Sequence, residues 1–203
     1  MGCFKLDVGM MMENCYIFFD ENSGMAAIID PGADAAYILD KLTEKNLTAT
    51  HILLTHGHYD HTGAVEELRK ATGAAVLACA GEEGLLTDPG KSYAAAGPLF
   101  ADAFFHDNDT LNIGGKQLLV IHTPGHTAGS CCFYSKDENM LFSGDTLFKE
   151  SIGRSDFATG DFDALISSIK NRLFVLPDDT RVCPGHMEES SIRHEKANNA
   201  FVR

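Results

Sequence analysis

The chain has 203 residues, 44% apolar and 22% charged, a composition that fits one globular domain able to bury its own core. Lys and Arg total 16 against 29 Asp and Glu, a formal charge of −13 with no basic stripe, which argues against nucleic acid or an anionic membrane surface as partner. No apolar run reaches the length of a membrane span, and the start has neither the basic-then-apolar order of an export signal nor the Ser or Thr at position 6 of a myristoylation motif.

From the N-terminus, residues 14–19 (NCYIFF) and 25–29 (MAAII) read as short strands separated by a turn-like segment from Asp20 to Gly24. Asp30-Pro31-Gly32 ends the second strand, and residues 34–45 carry Ile38, Leu39 and Leu42 at helical spacing. Residues 51–55 are expected as a buried strand, 62–72 as a helix and 75–78 as a short strand. Residues 81–100, rich in Gly, Pro and Ala, read as a short helix and a long surface excursion. Strands return at 117–121, 130–134 and 139–142. Residues 161–174 form a helix with Asp161 as N-cap and an apolar stripe of Phe162, Leu165, Ile166 and Ile169. A strand at 181–183 and a helix near 188–197 close the chain. This order predicts two sheet-plus-helix layers facing each other in a single α/β domain spanning residues 1–203.

Five of the nine histidines fall in three compact motifs. These are Thr55-His56-Gly57-His58-Tyr59-Asp60-His61, Thr123-Pro124-Gly125-His126-Thr127 and Pro184-Gly185-His186; Ser143-Gly144-Asp145-Thr146 adds a carboxylate. Each follows an apolar run, so the functional groups sit on loops at strand ends. Imidazole and carboxylate in this density are metal chemistry, and the absence of cysteine from the motifs argues against a structural Cys-rich zinc site. Seven groups exceed what one tetrahedral ion takes; they suit two ions, with one carboxylate able to bridge.

The His56-Gly-His58-Tyr-Asp60-His61 run with the later Gly125-His126, Gly144-Asp145 and Gly185-His186 resembles the metallo-β-lactamase superfamily over nearly the whole chain. The resemblance implies an αββα sandwich with metals at one edge. It also implies that His56, His58 and His126 hold one ion, Asp60, His61 and His186 a second, and Asp145 both. Within the superfamily, Gly144-Asp-Thr-Leu-Phe148, Ser151-Ile-Gly-Arg-Ser-Asp-Phe157 and Cys183-Pro-Gly-His186 are similar to the type II glyoxalase group, the hydroxyacylglutathione hydrolases. The larger members carry a C-terminal helical domain, for which the residues after His186 leave no room. Two positions depart from the pattern: Met187 stands where the group has Gly, and Asn199-Ala200-Phe201 replaces Asn-Pro-Phe.

The resemblance implies hydrolysis of a small-molecule thioester such as S-lactoylglutathione by a metal-bound hydroxide, with two divalent ions, zinc foremost and iron or manganese also accepted by such ligands. Asp60 then orients the nucleophile and Asp145 bridges. Arg154 falls where these enzymes place a substrate-contacting lysine, and Lys149 is either a second contact for a glutathione carboxylate or solvated surface. Tyr59 lines the pocket mouth or packs. Asp30 is either a plain turn residue or a carboxylate that accepts the outer N–H of a metal-holding histidine. Two rivals share the scaffold: a mono-iron persulfide dioxygenase, which resembles the chain at Gly-Arg-Ser-Asp-Phe but ends its last motif Pro-Ala-His-Asp-Tyr, and a lactonase or β-lactamase.

His51, His106, His122 and His194 lie outside the motifs and read as structural or surface residues. The six cysteines, at positions 3, 15, 79, 131, 132 and 183, form no C-x-x-C pair; free thiols and a cytoplasmic location are the expectation. Cys131 and Cys132 are adjacent in a strand pattern, so they should face opposite sides. The run Met10-Met11-Met12 reads as packing or an exposed turn. No nucleic acid or membrane partner is expected, and the chain is read as a monomer or weak oligomer.

Overall fold

Strand alternation sorts the apolar residues onto two faces of each sheet, and this sorting makes the layers. The computed structural model describes residues 2–94 and 96–203; Met1 of the N-terminal reading and Ala95 of the 81–100 excursion lie outside the described residues. The first sheet begins with β1 (Cys3–Val8), β2 (Glu13–Phe19) and β3 (Met25–Ile29), paired antiparallel. After α1 (Ala35–Glu44) it continues in parallel with β4 (Thr48–Leu53). Two helices, α2 (Tyr59–Thr62) and α3 (Val65–Thr72), lead to β5 (Ala75–Cys79). The short helices α4 (Glu83–Leu86) and α5 (Pro89–Ser92) precede β6 (Ala103–Phe105) at the far edge.

The second sheet starts as the antiparallel meander β7 (Thr110–Ile113), β8 (Lys116–His122), β9 (Cys131–Ser135) and β10 (Met140–Gly144). A small hairpin, β11 (Leu147–Phe148) and β12 (Ser151–Ile152), and helix α6 (Phe162–Ser168) follow. Then β13 (Arg181–Pro184) lies parallel to β10, β14 (Ser190–Ser191) pairs with β13, and α7 (Ile192–Asn198) ends the fold. Strand β8 thus runs the same way as β10 and β13, and their C-terminal ends open on one edge.

Three apolar layers result, in the expected αββα order. Ile17, Ile28 and Ile52 face the outer helices and meet Ile38 and Leu42 of α1 and Leu68 of α3. Tyr16, Phe18, Ile29 and Leu53 face inward and meet Leu118, Val120, Phe133 and Phe142 of the second sheet. On the far side Ile121, Leu141 and Val182 meet Leu165, Ile169 and Ile192. Cys131 falls in the layer between the sheets and Cys132 in the layer beneath α6, the opposite facing that strand geometry requires. All six cysteines are buried and unpaired. Among the described residues no helix is long and apolar enough to cross a membrane.

The differences from the sequence reading have local causes. β1 and β7 mix polar and apolar residues, because an edge strand has a partner on one side only and buries part of its length. The expected 62–72 helix breaks between α2 and α3 because Gly63 packs against the Pro31-Gly32 turn: a Cβ there would sit 2.3 Å from the Gly32 carbonyl oxygen, and the Ala64 N–H donates to the Pro31 carbonyl at 3.0 Å. Asp161 caps α6 as expected, accepting from the Ala164 N–H at 2.9 Å, but the backbone loosens into a π-turn over Ile169–Leu173. The last helix starts late, at Ile192, where Ser191 accepts from the His194 N–H. Among its described residues the 81–100 excursion holds two short α-helices rather than one, the first entered from a 3-10 turn at Ala80–Glu82.

Phe142 lies between the sheets against Tyr16 (centroids 5.3 Å apart) and Phe18 (5.8 Å). Phe142→Ala is expected to cost about 3–5 kcal/mol, read as a lowered urea midpoint; a loss under about 1 kcal/mol would mean the two sheets do not depend on this contact.

Candidate metal centre

The sheet edge gathers the motif residues from four loops. The loop after β4 brings His56 and His58, and α2 follows with Asp60 and His61. The loops after β8, β10 and β13 bring His126, Asp145 and His186. All seven meet. His126 Nε2 lies 3.2 Å from His56 Nε2 and 3.0 Å from His58 Nδ1. His186 Nε2 lies 3.2 Å from Asp60 Oδ2, and His61 Nε2 lies 3.9 Å from the same oxygen. Asp145 stands between the two groups: Oδ1 is 3.3 Å from His61 Nε2, and Oδ2 is 3.7 Å from His126 Nε2 and 3.9 Å from His186 Nε2. Gly185 makes this approach possible, since a Cβ there would lie 2.5 Å from Asp145 Oδ1 and 2.6 Å from His61 Cε1.

The donor set fits metal ions. Ligand atoms of His56, His58 and His126 lie within 4.8 Å of one another, as do those of Asp60, His61 and His186. Nitrogens held about 2.0–2.1 Å from a tetrahedral ion stand about 3.3 Å apart, close to the spacing in the first group. His61 Nε2 and Asp145 Oδ1 are buried and make no hydrogen bond, a costly state that a shared cation relieves. Asp30, His56 and His61 also present ligand atoms within 4.8 Å of one another. However, the Asp30 carboxylate accepts from the Thr55 N–H at 2.7 Å and the Thr55 hydroxyl at 2.6 Å, and faces His61 Nδ1 at 3.2 Å. It therefore grips His61 Nδ1 and leaves Nε2 facing the cluster.

Charge is shared unevenly across the cluster. Burial works against the Asp145 carboxylate, but His61, His126 and His186 outweigh it and hold its pKa below the usual carboxylate range. Burial also opposes the His61 cation, but Asp145 and Asp30 raise its pKa well above the ordinary imidazole value. Burial and the neighbouring rings lower His56 and His126, and push His58 down to about 4.

Two buried carboxylates escaped the sequence reading. Glu82, 1% exposed, comes from the 81–100 excursion and ties two loops together. It accepts from the Gly57 N–H (2.8 Å), the Thr127 hydroxyl (2.6 Å) and the Gly129 N–H (2.8 Å). Glu13 Oε1 stands 3.7 Å from His61 Nδ1, and burial pushes the Glu13 pKa well up. Neither lies in a motif, and neither stood at a position expected to be buried.

A cavity of about 500 Å³ opens above the cluster, and Tyr59 and Arg154 line it. The Arg154 carbonyl accepts from His126 Nδ1 at 2.7 Å, while its guanidinium grips Asp156 through two nitrogens at 2.9 and 2.8 Å. Lys149 does not line the cavity: its ammonium bonds Glu188, so the surface reading is the one the geometry favours. Outside the cluster, His194 bonds Glu150 at 2.8 Å, His122 meets the Ala128 carbonyl at 3.1 Å, His51 meets the Thr50 hydroxyl at 2.9 Å, and His106 is solvent-exposed.

Residues 8–186 match the family model of the metallo-beta-lactamase superfamily. Hydroxyacylglutathione hydrolase GloC of Haemophilus influenzae is 34% identical over 97% of this chain and 96% of its own. The crystal structure of BLEG-1 B3 metallo-beta-lactamase is similar with TM-score 0.91 and 37% identity, covering 98% of this chain and 99% of that one. TTHA1623 in a di-iron-bound form follows with TM-score 0.87 and 33% identity over 98% and 99%.

Glu82→Ala leaves three buried donors without an acceptor and is expected to cost about 3 kcal/mol or more, with a matching fall in metal affinity measured by chelator competition. Wild-type affinity in this variant would show that the loops hold the histidines unaided. A pH effect follows from the lowered histidines. From pH 6.5 down to about 4 the unfolded chain protonates groups that stay neutral in the fold, so stability falls as pH falls. His61 has the opposite sign: its contribution is complete below pH 6.5 and is lost as pH rises. Chelator-stripped protein should therefore show a lower urea midpoint at pH 4.5 than at pH 7; an equal midpoint contradicts the neutral assignment.

Proposed function

The chain belongs to the metallo-beta-lactamase superfamily, and from that premise we propose that it is a binuclear metallohydrolase that cleaves a thioester, with S-lactoylglutathione as the lead substrate. The observation that carries this reading is the pair of three-ligand groups with the Asp145 carboxylate between them. His56, His58 and His126 would hold one divalent ion, Asp60, His61 and His186 the other, and Asp145 both; zinc leads, and the di-iron relative keeps iron open. The glutathione-linked relative and the sequence match around Gly144–Phe157 support the thioester over other acyl substrates.

Bound ions would lower the pKa of a water toward neutrality and polarise the substrate carbonyl. The chain supplies the rest. Water adds to the carbonyl carbon, the C–S bond breaks, and the proton lost by the water ends on the departing sulfur. Asp60, partly open to the cavity and fixed by His186, is placed to orient that water and carry its proton. Asp30 and the Arg154 carbonyl fix the ring orientations of His61 and His126, so the ligand set is formed before substrate arrives. No side-chain nucleophile competes: all six cysteines are buried, and no base is hydrogen-bonded to the Ser151 hydroxyl among the described residues. A cytoplasmic, small-molecule role without nucleic acid or membrane partner agrees with the charge of −13.

Asp145→Ala is expected to reduce bound metal from about two ions per chain to one or fewer. It should also cut S-lactoylglutathione turnover about a thousandfold, the size of several kcal/mol of transition-state stabilisation. Wild-type turnover surviving exhaustive chelation would end the metal-dependent reading. The BLEG-1 likeness favours one second reading, β-lactam opening, which nitrocefin measures on the same preparation.

A further inference from the structure

The wall of the cavity is chemically unlike its floor. The floor is the His and Asp cluster. Met11, Tyr93, Phe148, Ile152, Phe157 and Met187 form most of the wall. Met11, Tyr93 and Met187 are more than half exposed, at 56%, 53% and 55%. Apolar groups exposed together around one concavity mark a place where something apolar is covered. Among the described lining residues Arg154 is the single Lys or Arg, and its fork is already matched by Asp156 and laid 4.5 Å over the Phe157 ring. The wall therefore has little to offer an anionic group and much to offer an uncharged apolar one.

Backbone conformation points to the same wall. Nine non-glycine residues have positive φ among those described, five of them Asp or Asn, the types that tolerate it. Of the remaining four, Tyr93 (φ 60°) and Met187 (φ 69°) line the cavity, and Met12 (φ 51°) adjoins Met11. Glycine would relieve the strain at 187, yet a long thioether stands there. It is also held in place: the Asn14 side-chain amide donates to the Met187 and Pro184 carbonyls, each at 2.9 Å, and the Asn14 N–H donates to the Gly185 carbonyl at 2.7 Å. An unbranched, polarisable side chain on a clamped backbone can mould itself to varied apolar groups without moving His186.

We infer that this wall is an apolar subsite for the acyl group of the thioester, with Met187 as its specificity-determining residue. The inference rests on the thioester reading above and deepens it: the cavity of about 500 Å³ has room well beyond a three-carbon acyl group. The subsite can be measured without turnover, using S-methyl-, S-butyl- and S-hexylglutathione, thioethers that cannot be hydrolysed. On metal-loaded protein, calorimetric Kd should tighten about fourfold for each methylene buried. Met187→Gly, which removes both strain and side chain, should flatten this dependence to below about twofold per methylene. Met11→Ser gives a second reading of the slope if that variant folds poorly. A Kd independent of alkyl length in the wild type, or an undiminished slope in both variants, overturns the subsite. A length-dependent Kd with no turnover of any acylglutathione overturns the hydrolase reading and leaves the subsite standing.

Discussion

One carboxylate organises the centre. Asp145 sits within 4 Å of His61, His126 and His186, with Oδ1 buried and Oδ2 at the cavity floor, and its negative charge is tolerable because cationic or polarisable partners surround it. Everything nearby serves that arrangement. Gly185 keeps a side chain out of the gap, Asp30 turns His61 toward it, and the Pro31-Gly32 turn presses against the helix that carries Asp60 and His61. The parallel course of β8, β10 and β13 delivers three of the four loops to one edge, so the sandwich itself acts as the positioning device.

The layer order and the seven clustered side chains were legible in the sequence because both are written in short-range patterns. Ile17 and Phe18 alternate, as do Cys131 and Cys132, and alternation reports which face is buried. The His-x-His-x-Asp-His spacing reports its chemistry within six residues. What escaped notice depends on distance. Glu82 is an ordinary acidic residue in an Ala- and Gly-rich stretch, and only the fold shows that its oxygens join the loops at Gly57 and Thr127. Asn14 reads as the first residue of a strand, although its amide secures backbone 170 positions away. Edge strands β1 and β7 are half-solvated and lose the apolar signature that marked their neighbours.

The centre and the wall obey different physics. The centre depends on charge and directed lone pairs, and tolerates little change because its side chains are fixed by named hydrogen bonds while His61 Nε2 and Asp145 Oδ1 are left bare for a cation. The wall depends on area and shape, and its members come from turns and loops at Met11, Tyr93, Phe157 and Met187. A scaffold divided in this way can exchange substrates while its chemistry stays constant, which is consistent with relatives of this chain bearing both lactamase and glutathione-hydrolase names.

The spread of ligands along the chain also sets an order of assembly. Synthesis makes His56, His58 and His126 before His186 and the strand that presents it. Asn14 must wait as long for the carbonyls of Pro184 and Met187. The N-terminal hairpin, among the first segments made, thus reaches its final hydrogen bonding only when nearly the last strand docks. The second ligand group closes in the same event, so its completion reports that the N-terminal hairpin and the strand that presents His186 have both docked.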